Sequence, residues 1–138
     1  MLTVGEHALE NFDPAFVRMC TPFAGGVGRT RQELCGALSS GTMILGALYG
    51  RTGSQENDDV VQQLAARYRE LFLAALGDTQ CGPLRERFQT SSNPHPCTTI
   101  VEQAAITLLE VLDEARGSRL AQSLGQGDSP PDPPPFTE

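Results

Sequence analysis

Four cysteines, Cys20, Cys35, Cys81 and Cys97, are the residues of this 138-residue chain best suited to chemistry. A thiol can attack, pair with a second thiol, or bind a metal, and each task is done by the thiolate. The helical reading below puts Cys35 just after a first helical turn, Cys81 immediately before a Gly-Pro helix start, and Cys97 at the opening of the last helix. Helix N-termini carry partial positive charge, which favours a thiolate. Cys35, Cys81 and Cys97 are therefore expected to converge as the reactive set. With Cys20 added, they are also the candidate metal ligands. No CxxC occurs, so neither a thioredoxin-type pair nor a zinc ribbon is indicated. The cysteines lie far apart along the chain, so the fold must assemble any shared site. On spacing alone, a dithiol, a metal centre and four unrelated buried thiols all stay open.

The neighbouring residues extend this set. Thr21-Pro-Phe-Ala-Gly-Gly-Val-Gly-Arg29 resembles a phosphate loop superficially. It lacks the Lys-Ser/Thr of a nucleotide-binding loop, and no predicted strand feeds it. Its glycines instead suit a tight, strained approach to the helix start near Cys35. Gly25, Gly26, Arg29 and Gly36 are accordingly the candidate cofactor contacts, with Arg29 placed to hold negative thiolates. His95 precedes Cys97 by two residues, as a ligand, as a group tuning the thiol, or as an ordinary surface-loop residue. Asn57-Asp58-Asp59 is explained by the preference of a helix start for negative charge.

The elements that must position these residues are helical. A weak first segment is expected near 4–11, or one that continues to about Met19 after a break at Asp13-Pro14. Thr30-Arg31-Gln32-Glu33 has the form of a capping box, so the second helix is expected to start at Thr30 and stop at Gly50. Ser54 is expected to cap the third. In that helix Val61, Leu64, Tyr68, Leu71 and Ala75 form one apolar face, and Gly77 is its C-terminal cap. A short helix follows Cys81-Gly82-Pro83. The last runs from about Cys97 to Arg116, with Val101, Ala104, Leu108 and Val111 on one stripe. No alternating strand of useful length appears. The fold class is all-α, a small bundle of about four main helices. Residues 1–116 form a cysteine-bearing domain, and 117–138 a flexible Pro-rich tail holding five of the ten prolines.

Within CGALSSGTMILGALYG, from Cys35 to Gly50, the apolar residues face more than one direction, which predicts a buried central helix. Its small residues need an explanation, because each interior Gly costs a helix roughly 1 kcal/mol relative to Ala. Gly36, Ser40 and Gly46 are expected to be the points of closest approach to another helix. Gly46→Leu should then overpack that contact.

Composition sets the outer bounds. The net charge is −7, and all ten basic residues are arginine. That balance argues against a nucleic-acid footprint and against an anionic membrane surface. The N-terminus lacks the features of a secretory signal, and no stretch approaches a bilayer span. A cytoplasmic protein with reduced thiols is expected.

Phe23-x-Gly25-Gly26-x-Gly28-Arg29, then Cys35-Gly36-Ala37, then Leu45-Gly46-x-x-Tyr49-Gly50, with later cysteines at 81 and 97, resembles the redox-active protein family named for a C_GCAxxG_C_C cysteine pattern. The resemblance runs from about residue 20 to 115. It departs from the pattern at Ser40, where the family has glycine and this chain has Gly41 one position later. The family's first cysteine also lies upstream of the position of Cys20. Without a Cys20 equivalence the chain keeps three of the four thiols. The resemblance implies redox chemistry or a metal centre, such as an iron–sulfur cluster or another thiolate-bound metal. The partners expected are a redox partner and, through the small-residue face, a second copy of the chain. A competing reading is a helical dimerisation or adaptor module with inert cysteines, and a third is a metal carrier without turnover.

Overall fold

The computed structural model describes residues 2–125, with side chains described through residue 118. Six α-helices follow one another: α1 (Leu2–Ala8), α2 (Pro14–Cys20), α3 (Gly36–Tyr49), α4 (Asp59–Leu76), α5 (Cys81–Phe88) and α6 (Pro96–Gly125). A single 3₁₀ turn, Thr21–Phe23, continues α2. Among the described residues there is no strand, which agrees with the all-α class, although three short helices, α1, α2 and α5, beside three long ones raise the count above four.

The three long helices make the core. Ile44 and Leu45 of α3, Tyr68, Phe72 and Leu76 of α4, and Leu108, Val111 and Leu112 of α6 are all essentially inaccessible. Tyr68 ties them together. Its hydroxyl lies 3.2 Å from the Ala104 carbonyl of α6 and 3.4 Å from the Ala37 carbonyl of α3. The ring fits because position 41 is glycine, where a Cβ would sit 2.4 Å from Tyr68 Cε1. Leu84 of α5 is fully buried, and α5 packs on α6. On the surface Arg67 of α4 makes a bidentate pair with Glu114 of α6, at 3.1 and 3.0 Å.

Several expected boundaries move. The helix expected from Thr30 begins at Gly36. Gly25, Gly26, Val27, Gly28, Arg29 and Arg31 all have positive φ, so the backbone before Leu34 coils the wrong way for a right-handed helix. The Thr30 hydroxyl donates back to the carbonyls of Gly26 and Val27 instead of closing a capping box with Glu33. Asn57 replaces Ser54 at the next helix start, its Oδ1 accepting from the Asp59 amide at 2.7 Å. Gly77 does end α4, in the left-handed conformation that glycine adopts freely. Gly117 does not end α6, which continues to Gly125. A solvent-facing glycine lowers helix stability without breaking the hydrogen-bond ladder. The rest of the expected tail, 126–138, lies outside the described residues.

The small-residue expectation for α3 is corrected at one position. The helix is central and buried at Leu38, Gly41, Ile44 and Leu45, but Gly46 is exposed, and a Cβ there meets nothing within 4 Å. The close approaches are at Gly36, where a Cβ would lie 2.8 Å from the Phe23 carbonyl oxygen, and at Gly41. No helix of the described residues is long and apolar enough to cross a membrane.

Candidate functional site

A two-stranded contact too short to be a sheet sets two of the thiols side by side. Leu34 and Gln80 form an isolated antiparallel bridge. On either side of it the Cys35 amide donates to the Thr79 carbonyl and the Cys81 amide donates to the Glu33 carbonyl, both at 2.9 Å. Successive side chains of extended backbone point to opposite faces, so Cys35 and Cys81 both point away from the face of the bridged pair. Asp78 holds the turn leading into the bridge, its Oδ1 accepting from the Thr79 and Gln80 amides at 2.7 and 2.8 Å. The coiled glycine loop closes over this pair. A Cβ at Gly26 would stand 2.5 Å from Cys81 Cβ and 2.8 Å from the Glu33 carbonyl. The Gly82 amide donates to the Arg31 carbonyl at 3.1 Å.

All four cysteines line one cavity of about 280 Å³, together with Arg85 and Ser40. Cys35 is the N-cap of α3, and Cys81 is the first residue of α5; both are buried. Cys20 ends α2, also buried, and its thiol lies 3.3 Å from Met43 Sδ. Cys97, the second residue of α6, is the exposed member. All four are free thiols. Of the four candidate cofactor contacts, Gly25 and Gly36 line the thiol cavity. Gly26 is buried behind Cys81. Arg29 lies outside, in an adjoining groove that it shares with Cys97. His95 is exposed in the loop before α6, its carbonyl accepting from the Thr98 amide.

The thiolate argument from helix starts does not hold for the two buried thiols. Burial pushes Cys35 above its ordinary value of 9.0. The Ala37 and Leu38 amides of the helix start act downward but are outweighed, and the Cys81 and Cys97 sulfurs add to the rise. Burial likewise raises Cys81. Charge on Cys97 raises it further, while Arg85 and then Arg31 oppose. Desolvation by burial exceeds what a helix terminus supplies. At neutral pH both shifts favour the protonated thiol.

Sequence reading singled out Arg29 and missed Arg85. Arg85 Nη1 donates to Cys97 Sγ at 3.1 Å. Its Nε is buried without a hydrogen-bond partner among the described residues. The signal was present. Arg85 follows Cys81 by four residues on one helix, and residues at that spacing share a face. No group of three or more His, Cys, Asp or Glu side chains among the described residues is arranged to hold a metal ion.

A thiol cavity roofed by a glycine coil and opened by one accessible cysteine is the setting in which the comparison with known families falls. The chain belongs to the C_GCAxxG_C_C family: the family model described as "Putative redox-active protein (C_GCAxxG_C_C)" matches residues 1–111. No curated protein and no solved structure matches the chain.

Proposed function

We propose that the protein carries out thiol–disulfide redox chemistry, with Cys97 as the entry thiol and Cys81 and Cys35 as the thiols behind it. The observation that carries this reading is the shared cavity of all four cysteines, reached from sequence positions as far apart as 20 and 97. The roles follow from access. Cys97 is exposed, while Cys35 and Cys81 are buried. In one turnover two thiols lose two electrons and two protons and form a disulfide, and an oxidant of the disulfide class takes up both. Arg85 Nη1 faces the entry sulfur, and a guanidinium has donors only, so the sulfur accepts in that pair. Behind it, burial pushes Cys81 up, while Arg85 and Arg31 act downward on it. A cytoplasmic, reducing setting belongs to this proposal.

A thiolate-bound metal or iron–sulfur centre needs three or more donors converging on one point. The donor chemistry suits it, but the side chains as arranged do not form such a group, so no step is routed through a metal. The adaptor reading rested on small residues at a helix face. Two of them, Gly36 and Gly41, are used inside the chain against Phe23 and Tyr68.

The test is oxidation of the reduced chain with a disulfide reagent, followed by peptide mapping. A single intramolecular disulfide that includes Cys97, absent in Cys97→Ser, is the expected product. Four thiols that stay reduced, or that take up reagent one by one without pairing, would overturn the reading. Metal analysis after anaerobic purification separates the metal alternative.

A further inference from the structure

Outside the thiol cavity lies a second groove of about 270 Å³, and Cys97 lines both. The outer groove is formed by Ala24, Gly25, Arg29, Arg31, Arg85 and Cys97. Three arginines and no carboxylate therefore surround the one exposed thiol. This is unexpected in a chain with 17 acidic residues against 10 basic ones. Arg51, Arg67 and Arg116 pair with carboxylates, but none of the three groove arginines does so among the described residues. Two of them stand on strained backbone, with φ of 68° at Arg29 and 65° at Arg31, a conformation a non-glycine residue adopts only when its surroundings impose it. The third keeps a buried Nε with no acceptor. A buried donor without a partner is costly, so the Arg85 side chain has hydrogen-bonding capacity that the protein leaves unused. Arginine forks match carboxylates in a bidentate manner.

We infer that this groove is an anion-recognition site, and that the molecule exchanging with Cys97 is a small disulfide bearing carboxylates. The inference rests on the thiol redox reading above. In the first step the Cys97 sulfur attacks one sulfur of R–S–S–R. A Cys97–S–S–R bond forms, the R–S–S–R bond breaks, and the leaving RS⁻ takes up the proton given up by Cys97. In the second step the Cys81 sulfur attacks the Cys97 sulfur. A Cys81–Cys97 disulfide forms and the second RS⁻ leaves, protonated by the proton Cys81 gives up. Two protein thiols are oxidised, and one small disulfide is reduced to two thiols. The arginines hold the carboxylates of R and place the reacting sulfur at Cys97.

The test uses the reduced full chain and two reagents, a bis(nitrobenzoate) disulfide carrying two carboxylates and an uncharged dipyridyl disulfide. Rates of release of the first leaving group are measured for both, and their ratio is followed. In the Arg29→Gln/Arg31→Gln double variant the ratio should fall by about tenfold or more, because focused charge raises encounter with an anion by at least that order. Arg85→Lys, which keeps the charge, should lose less. Inorganic phosphate added to the parent protein gives a readout that needs no variant. It should slow the carboxylate reagent at fixed ionic strength and leave the neutral one unaffected. A ratio unchanged in a folded double variant, or equal slowing of both reagents by phosphate, overturns the anion site. If the ratio falls as expected but mass analysis finds no intramolecular disulfide with either reagent, the redox reading fails while the anion site stands.

Discussion

Arg85 and Cys97 are joined by a 3.1 Å hydrogen bond from guanidinium to sulfur, across the loop between α5 and α6. An exposed charged contact of this kind contributes up to about 1 kcal/mol. Arg85→Ala should therefore slow alkylation of Cys97 by up to about fivefold. Iodoacetamide labelling with peptide-resolved mass spectrometry checks this. Cys35 and Cys81 in the same sample should label far more slowly than Cys97 at neutral pH, because both are buried and shifted upward. Equal labelling of all three thiols would contradict the assignment of Cys97 as the entry thiol.

Gly26→Ala should damage the site and the fold together. The added Cβ would lie 2.5 Å from Cys81 Cβ, and the residue has φ of 62°. Overpacking and left-handed strain each cost on the order of 1–3 kcal/mol. The expected result is a lower melting temperature together with faster labelling of Cys81, as the loop lifts from it. A variant that melts like the parent with Cys81 still protected would show that the loop does not seal the cavity.

Gly41 and Gly46, on the same helix, should behave oppositely. Gly41→Ala places a Cβ against the Tyr68 ring at 2.4 Å and should cost about 1–3 kcal/mol. Gly46→Ala meets nothing within 4 Å and should stabilise the helix by up to about 1 kcal/mol. Thermal or denaturant melts of the two variants decide this. Loss of stability at Gly46 would mean an interface that covers that face.

The contrast between those two glycines marks how far sequence could reach. The Gly77 cap, the central place of α3 and part of the α4 face were legible, because 3.6-residue periodicity and a terminal glycine act locally; on α4 Tyr68 is buried as expected, but Ala75 is exposed and Phe72 and Leu76 fill the core instead. That the thiols gather was an expectation from helix starts, and the cavity they share agrees with it, though not for the reason given. Cys35 and Cys81 are brought together by the Leu34–Gln80 bridge, a pairing of residues 46 apart that no local pattern encodes. Arg31-Gln32-Glu33 read as a first helical turn because the capping-box pattern is local. The glycine coil before it overrides that pattern through tertiary contacts with Cys81 and Gly82. Which of several helix glycines touches a neighbour depends on facing. A stretch apolar on more than one side, such as 35–50, does not state its facing.

The last expectation concerns pH. Burial raises both Cys35 and Cys81 above the ordinary thiol value of 9.0, so the folded state holds these protons more tightly than the unfolded chain. A group whose pKa is higher when folded contributes its full stability below the unfolded value, and loses it as pH rises toward the folded value. The protein under reducing conditions should therefore keep constant stability from these groups at neutral pH and lose it as pH climbs past about 9. Tyr68, raised by burial from an ordinary 10.0, adds a loss of the same sign starting at higher pH. Urea denaturation at a series of pH values with reductant present measures the slope. Cys35→Ala should flatten the first part of the decline, near the thiol range, and leave the later tyrosine part in place. A stability curve that rises through this range in the parent would mean that the two buried sulfurs are held as thiolates, and the division between one accessible entry thiol and two protonated reserves would be wrong.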